Sequence, residues 1–273
     1  MIRGIHIRRI FFAFIGLIAC LWVAWLAIPQ SLISKYAQDL LTGSRIHVDL
    51  SGVKKGFFYT LHIERITITR ASSNSISDVL HSQTVICTVQ DTTVSPDGLS
   101  LLKLSPLFYI SGKINGGAIH GTYGGVSQGM YGHFSGKDIQ PDGLPILEYM
   151  GIHGSGNLAF NLHWQNDKGE MTFSIDDADL RGEFGGIRFV PLNLFNRIKG
   201  ALALSDTTTL NPISLEGKGI YVRVKGTIRK QSLDGTMEVM MDSSLDQYAL
   251  FQAILRPYEI SPGNYLIPIH QVF

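Results

Sequence analysis

Cysteine is scarce in this chain: there are two in 273 residues, at positions 20 and 87. Cys20 lies inside an apolar run and Cys87 stands alone beyond it, so no internal disulfide can staple the downstream part. No basic residue lies close enough in sequence to lower the Cys87 pKa, and it reads as an apolar strand residue, not a nucleophile. Charge is scarce too. Asp, Glu, Lys and Arg make up 16% of the residues, and 23 basic against 22 acidic side chains leave a formal net charge of +1. A nucleic-acid partner needs a basic stripe to neutralise phosphates, and none is visible, so that class of partner is excluded.

The patterns that carry chemistry are also missing. The histidines at positions such as 47, 62, 81, 120, 133, 153 and 163 form no close pair at metal-ligand spacing, and no metal ligand is assigned. Asp176, Asp177 and Asp179 with Gly182 faintly echo a calcium loop, but Arg181 and Arg188 stand where its fifth and twelfth ligands belong. A turn or a polar strand face is the expected role of that cluster. The stretch from Gly132 to Lys137 is one residue too short for a phosphate loop, and Asp138 replaces the hydroxyl that would bind magnesium. No Gly-x-Ser-x-Gly elbow occurs. The chain is therefore expected to be no enzyme and to need no cofactor.

What is present begins with an apolar run. Ile10 to Ile28 supplies 19 residues without a charge, close to the roughly 20 that a helix needs to cross a bilayer. Three readings compete. A cleaved signal has a shorter apolar core, about 7 to 15 residues, followed by small and polar residues, whereas Trp22, Val23, Trp25, Leu26 and Ile28 follow here. Leu17-Ile18-Ala19-Cys20 resembles a lipoprotein acylation box, yet Leu21 to Ile28 continue the apolar run where a polar tether belongs. A retained helix is the favoured expectation. Arg3, Arg8 and Arg9 precede it and Lys35 is the first basic residue after it, which places the N-terminus in the cytoplasm and the rest outside. Trp22 and Trp25 lie near the outer end, where amphipathic rings favour the interface. The divisions that follow are a cytoplasmic segment 1–9, a span 10–28, a juxtamembrane helix and linker 29–45, and an exported β-rich domain 46–273.

The helix after the span is expected at 31–43, with Ser31 as N-cap, Gly43 as stop and Ile33, Tyr36, Ala37, Leu40 and Leu41 on one face. Beyond it the period becomes two. Residues 157–164 send Leu158, Phe160, Leu162 and Trp164 to one side, and 221–228 do the same with Val222, Val224 and Ile228. Further strands are expected at 61–69, 84–90, 109–114, 118–123, 171–175, 201–204 and 236–241. Leu61 and Ile63 are out of phase with Ile66 and Ile68, which predicts a bulge near Glu64. Asn115-Gly116-Gly117, Asp167-Lys168-Gly169 and Asp234-Gly235 are hairpin signals. Short helices are expected at 145–150, 192–198 and 245–255, the last with Ser244 as cap and Pro257 as stop.

The C-terminal half carries a resemblance. Gly154-Ser-Gly-Asn-Leu-Ala-Phe160, Ile213-Ser-Leu-Glu-Gly-Lys-Gly-Ile220, Val222-Arg-Val-Lys-Gly226 and Ile260-Ser-Pro-Gly-Asn-Tyr-Leu-Ile-Pro-Ile269 resemble the protein N family of type II secretion systems. The resemblance implies an accessory or scaffold of the bacterial inner membrane, single-pass, with a β-rich periplasmic domain and other secretion proteins as partners. The same architecture is similar to AsmA-type proteins, which implies an elongated, mostly antiparallel curved sheet with an apolar groove for lipid. The expected fold is mainly β, with an N-terminal transmembrane helix and a few short helices. Whether the apolar faces form an open groove, or close on one another as a sandwich or barrel, stays open at this level.

Overall fold

A computed structural model describes residues 16, 19–42, 46–70, 85–98, 100, 105–126, 129–149, 151–182, 191–229, 232–246 and 248–272. Arg3, Arg8, Arg9, most of the first half of the apolar run, Gly43 and His81 lie outside them. Residues 19–27 are helical and the helix breaks at Ile28 and Pro29. Among the described residues no helix is long and apolar enough to cross a membrane. A second helix, α1, runs over Gln30–Leu41 and packs along the first strand. Its N-cap is Pro29, without a side-chain hydrogen bond, so Ser31 is not the cap. Tyr36, placed by periodicity on the buried face, is exposed.

From Ile46 onward the chain forms one curved antiparallel sheet of fourteen strands, in sequence order except that the last two exchange places. The strands are β1 (Ile46–Lys55), β2 (Leu61–Arg70), β3 (Val85–Pro96), β4 (Leu107–Ile114), β5 (Gly117–Val126), β6 (Gly129–Ile139) and β7 (His153–Gln165). They continue as β8 (Lys168–Arg181), β9 (Phe195–Leu204), β10 (Thr208–Gly217), β11 (Ile220–Arg229), β12 (Ser232–Met241), β13 (Glu259–Ser261) and β14 (Asn264–Val272). The sheet has two edges, β1 and the three-residue β13, and so it is open. A short edge limits unwanted pairing.

The curl has a local origin. Asp91, Asp138 and Asp177 adopt positive φ of 50°, 57° and 53°, and each sits where the register with a neighbouring strand shifts by one residue. Aspartate tolerates this left-handed conformation better than most residues, and each bulge bends its strand and adds twist. The acidic cluster 176–179 is thus a bulge site. The bulge expected near Glu64 takes another form: β1, β2 and β3 keep register past Glu64, the shift beside Asp91 appears between β3 and β4, and β2 and β3 slip by one residue only between Ile68 and Thr69. Two further expectations need correction. Asp234 and Gly235 lie inside β12, where Gly235 faces Gly226 and the two backbones approach too closely for a side chain. Residues 192–198 hold only a 3-10 turn, Leu192–Leu194, before β9 begins.

Consecutive hairpins put alternate connections at opposite ends of the sheet. At one end, among the described residues, lie helix α2 (Pro145–Tyr149), the 3-10 turn and helix α3 (Tyr248–Leu255). Ser244 bonds Asp242 and does not cap α3. The α-helix ends at Leu255, as expected with Pro257 as its stop, and a 3-10 turn, Arg256–Tyr258, follows. The other end has connections of two or three residues after β5, β7, β9 and β11, the β1–β2 turn, and a longer β3–β4 connection over 97–106 that is helical at 98 and 100.

Candidate functional site

One face of the sheet is apolar from β4 across to β14, starting with Ile110, Gly121 and Phe134. Across β6 to β9 it reads Phe134, Leu162, Met171 and Leu202 in one row, and Gly136, Phe160, Phe173 and Gly200 in the next. Across β10 to β14 it continues as Leu215, Val222, Val239 and Tyr265, with Ile213, Val224, Met237 and Ile267 beside them. Both groups of residues expected from alternation therefore share one face.

Their environments differ. Val222 and Val224 are 2% and 0% exposed, within a cluster that α3 joins through Phe251 and Leu255 and the 3-10 turn joins through Leu192. Leu158, Phe160, Leu162, Trp164 and Ile228 are only half-buried. Within β6–β9 burial follows the strand direction: Ile139, Leu180 and Phe195 are 1%, 2% and 1% exposed at the end that carries the inserted helices, while Phe134, Trp164, Met171 and Leu204 at the other end are half-buried. At that less buried end a depression of about 260 Å³ is bounded by Phe134, Leu162, Trp164, Gly169 and Leu204, with Asp167 and Ser205 at the rim.

Glycines shape this surface. Phe134 lies opposite Gly121, Phe160 opposite Gly136, and Phe173 opposite Gly200. A methyl group on Gly200 would stand 2.6 Å from the Phe173 ring, so each ring uses the empty space over its neighbour's backbone. Tyr123 and Trp164 flank Gly132 from either side and stack across it, centroids 6.2 Å apart and 10° from parallel. Aromatic rings laid over glycines cover the backbone with a smooth apolar surface. Sequence reasoning missed Tyr123, Phe134 and Phe173. Their signal lay in aromatics recurring opposite glycines, which is readable only once register is known.

The opposite face is polar and carries ion pairs, including Arg197 with Asp176 at 2.7 Å and the half-buried Arg223 with Glu238 at 3.5 Å. The candidate histidines at 47, 62, 120, 133, 153 and 163 are exposed, and the described residues hold no group of three His, Cys, Asp or Glu that could take a metal ion. Cys87 is half-buried in β3 opposite Ile68, and burial pushes its thiol pKa up. No known family, curated protein or solved structure matches this chain. What the face can do must be argued from its own chemistry: it offers apolar contact and ring faces, and no convergent polar groups.

Proposed function

We propose that the protein is a non-enzymatic, membrane-anchored lipid-binding protein that holds an acyl chain along the apolar face of β4–β9. The observation that carries this reading is the contrast within one face: its β10–β14 part is covered by α3 and the 3-10 turn, while Phe160, Leu162 and Trp164 stay half-buried beside an open depression. Apolar surface taken from water contributes roughly 25 cal/mol per Å², and an acyl chain needs no hydrogen bonds in return. The sheet belongs in the periplasm, with residues 10–28 holding it to the bacterial inner membrane and residues 1–9 in the cytoplasm. The scaffold role in type II secretion remains an alternative on the strength of the glycine-punctuated strands between Gly154 and Ile269, but no feature of the sheet geometry favours it over lipid binding.

A photo-crosslinking residue at Phe160 or Leu162 is expected to capture phospholipid in membranes, and one at Asn161, on the polar face, is not. The covered Val224 position is expected to crosslink to the protein's own strands. Crosslinking at 160 and 162 confined to the protein itself would refute the reading.

A further inference from the structure

The end of the first helix is fastened to the β1–β2 turn by contacts that the proposed lipid trough does not use. Trp25 O would ordinarily accept a hydrogen bond from residue 29, but Pro29 has no N–H to give. Lys55 Nζ fills the gap, donating to Trp25 O at 2.7 Å and to Leu26 O at 2.9 Å, and it stands 5.4 Å from the centre of the Trp25 ring. A cation at this position also complements the negative end of the helix dipole. Tyr59 Oη donates to Leu21 O at 2.8 Å, and its ring packs on Trp25 with centroids 5.2 Å apart. Trp22 meets Phe57 edge to face at 5.5 Å.

Two observations say what the rest of this assembly faces. The helix is apolar on every side although the turn covers only one: Leu21, Val23 and Leu26 are 51%, 62% and 52% exposed, and Phe57 and Phe58 beside them are 65% and 50% exposed. A helix apolar all round belongs in a protein core or in lipid, and no core surrounds this one among the described residues. The turn itself is costly. Phe58 and Tyr59 take φ of +47° and +60°, a tight hairpin geometry that normally selects Asn-Gly, and each non-glycine residue there costs about 1–2 kcal/mol. Two bulky rings at a strained, exposed tip mark a place where they have a function.

We propose that the Phe57–Phe58 tip is a second membrane contact, seated in the boundary between headgroups and acyl chains beside the emerging helix, with Lys55 as the clamp joining them. This rests on the reading that residues 10–28 anchor the chain in a membrane. The connections after β5, β7, β9 and β11 leave from the same end of the sheet as this tip, so the clamp turns the less buried end of the trough toward the bilayer surface.

The test uses the full chain in vesicles of phosphatidylethanolamine and phosphatidylglycerol, with Cys20→Ser and Cys87→Ser and an environment-sensitive fluorophore on Phe57→Cys or, as control, on Lys218→Cys in the exposed β10–β11 turn at the other end. Spin-labelled phospholipids are expected to quench the label at 57 several-fold more than the label at 218, and Lys55→Met is expected to reduce that quenching while the protein still floats with the vesicles. Equal quenching at 57 and 218 in a chain that floats would overturn the second contact and leave the anchor standing. A chain that does not float would overturn the anchor, and the second contact with it. Unchanged quenching in Lys55→Met would overturn the clamp.

Discussion

The same substitution at two points of the apolar face separates a covered core from an open trough. Leu215 is 3% exposed, within the cluster joined by α3, whereas Leu162 is half-buried beside the open depression. Leu215→Ala removes the transfer free energy of its methyl and methylene groups, at about 0.8 kcal/mol each, and leaves a cavity that the packed strands around it can fill only in part. The expected loss is about 3–4 kcal/mol, inside the range for buried leucines. Leu162→Ala gives up about half of the transfer term, and no sealed cavity forms because the gap opens to solvent. The expected loss is about 1 kcal/mol. For a chain of this size each kcal/mol moves the melting temperature by about 2–4 °C. Thermal unfolding of the detergent-solubilised protein, stripped of lipid, should place Leu215→Ala well below Leu162→Ala, with the latter close to the parent. Equal losses would mean that β6–β9 are covered as fully as β10–β14, and the trough argument would fail.

The remaining predictions concern polar groups. Tyr265 is 1% exposed and, among the described residues, its buried hydroxyl has no hydrogen-bond partner, while burial raises its pKa. Tyr265→Phe should therefore be neutral or stabilising by up to about 1 kcal/mol in denaturant titration, since leaving a buried hydroxyl unpaired costs about 1–3 kcal/mol; a clear loss of stability would reveal a partner for that oxygen. Hydrogen bonds from the Ser244 hydroxyl and N–H hold the Asp242 carboxyl below its ordinary pKa. Its stabilising effect is present above the ordinary carboxylate pKa and lost as pH falls through the lowered folded value. NMR titration should show the Asp242 pKa rising in Ser244→Ala, and an unchanged value would remove the hydroxyl as the cause.

The alternation in 157–164 and 221–228 was sufficient to sort Leu158, Phe160, Leu162 and Trp164 from Asn161 and His163, and Val222 and Val224 from Arg223 and Lys225, because side-chain direction in a strand has period two and needs no distant partner. The antiparallel order followed from the short Asn115-Gly116 turn and its equivalents. Helix ends were less legible, since the caps at Ser31 and Ser244 depended on bonds that Pro29 and Asp242 decided otherwise. Bulges at Asp91, Asp138 and Asp177 were hidden because a positive φ leaves no mark in composition, and Asp234-Gly235 reads as a turn until Gly226 is placed opposite it. Tertiary structure alone decided that two sets of residues alike in sequence have different fates. Val224 is sealed because α3, more than twenty residues further along the chain, folds Phe251 and Leu255 into its cluster, while among the described residues Phe160 stays half-buried. Whether an apolar strand face becomes core or surface depends on which distant segment reaches it, and local periodicity carries no record of that contact.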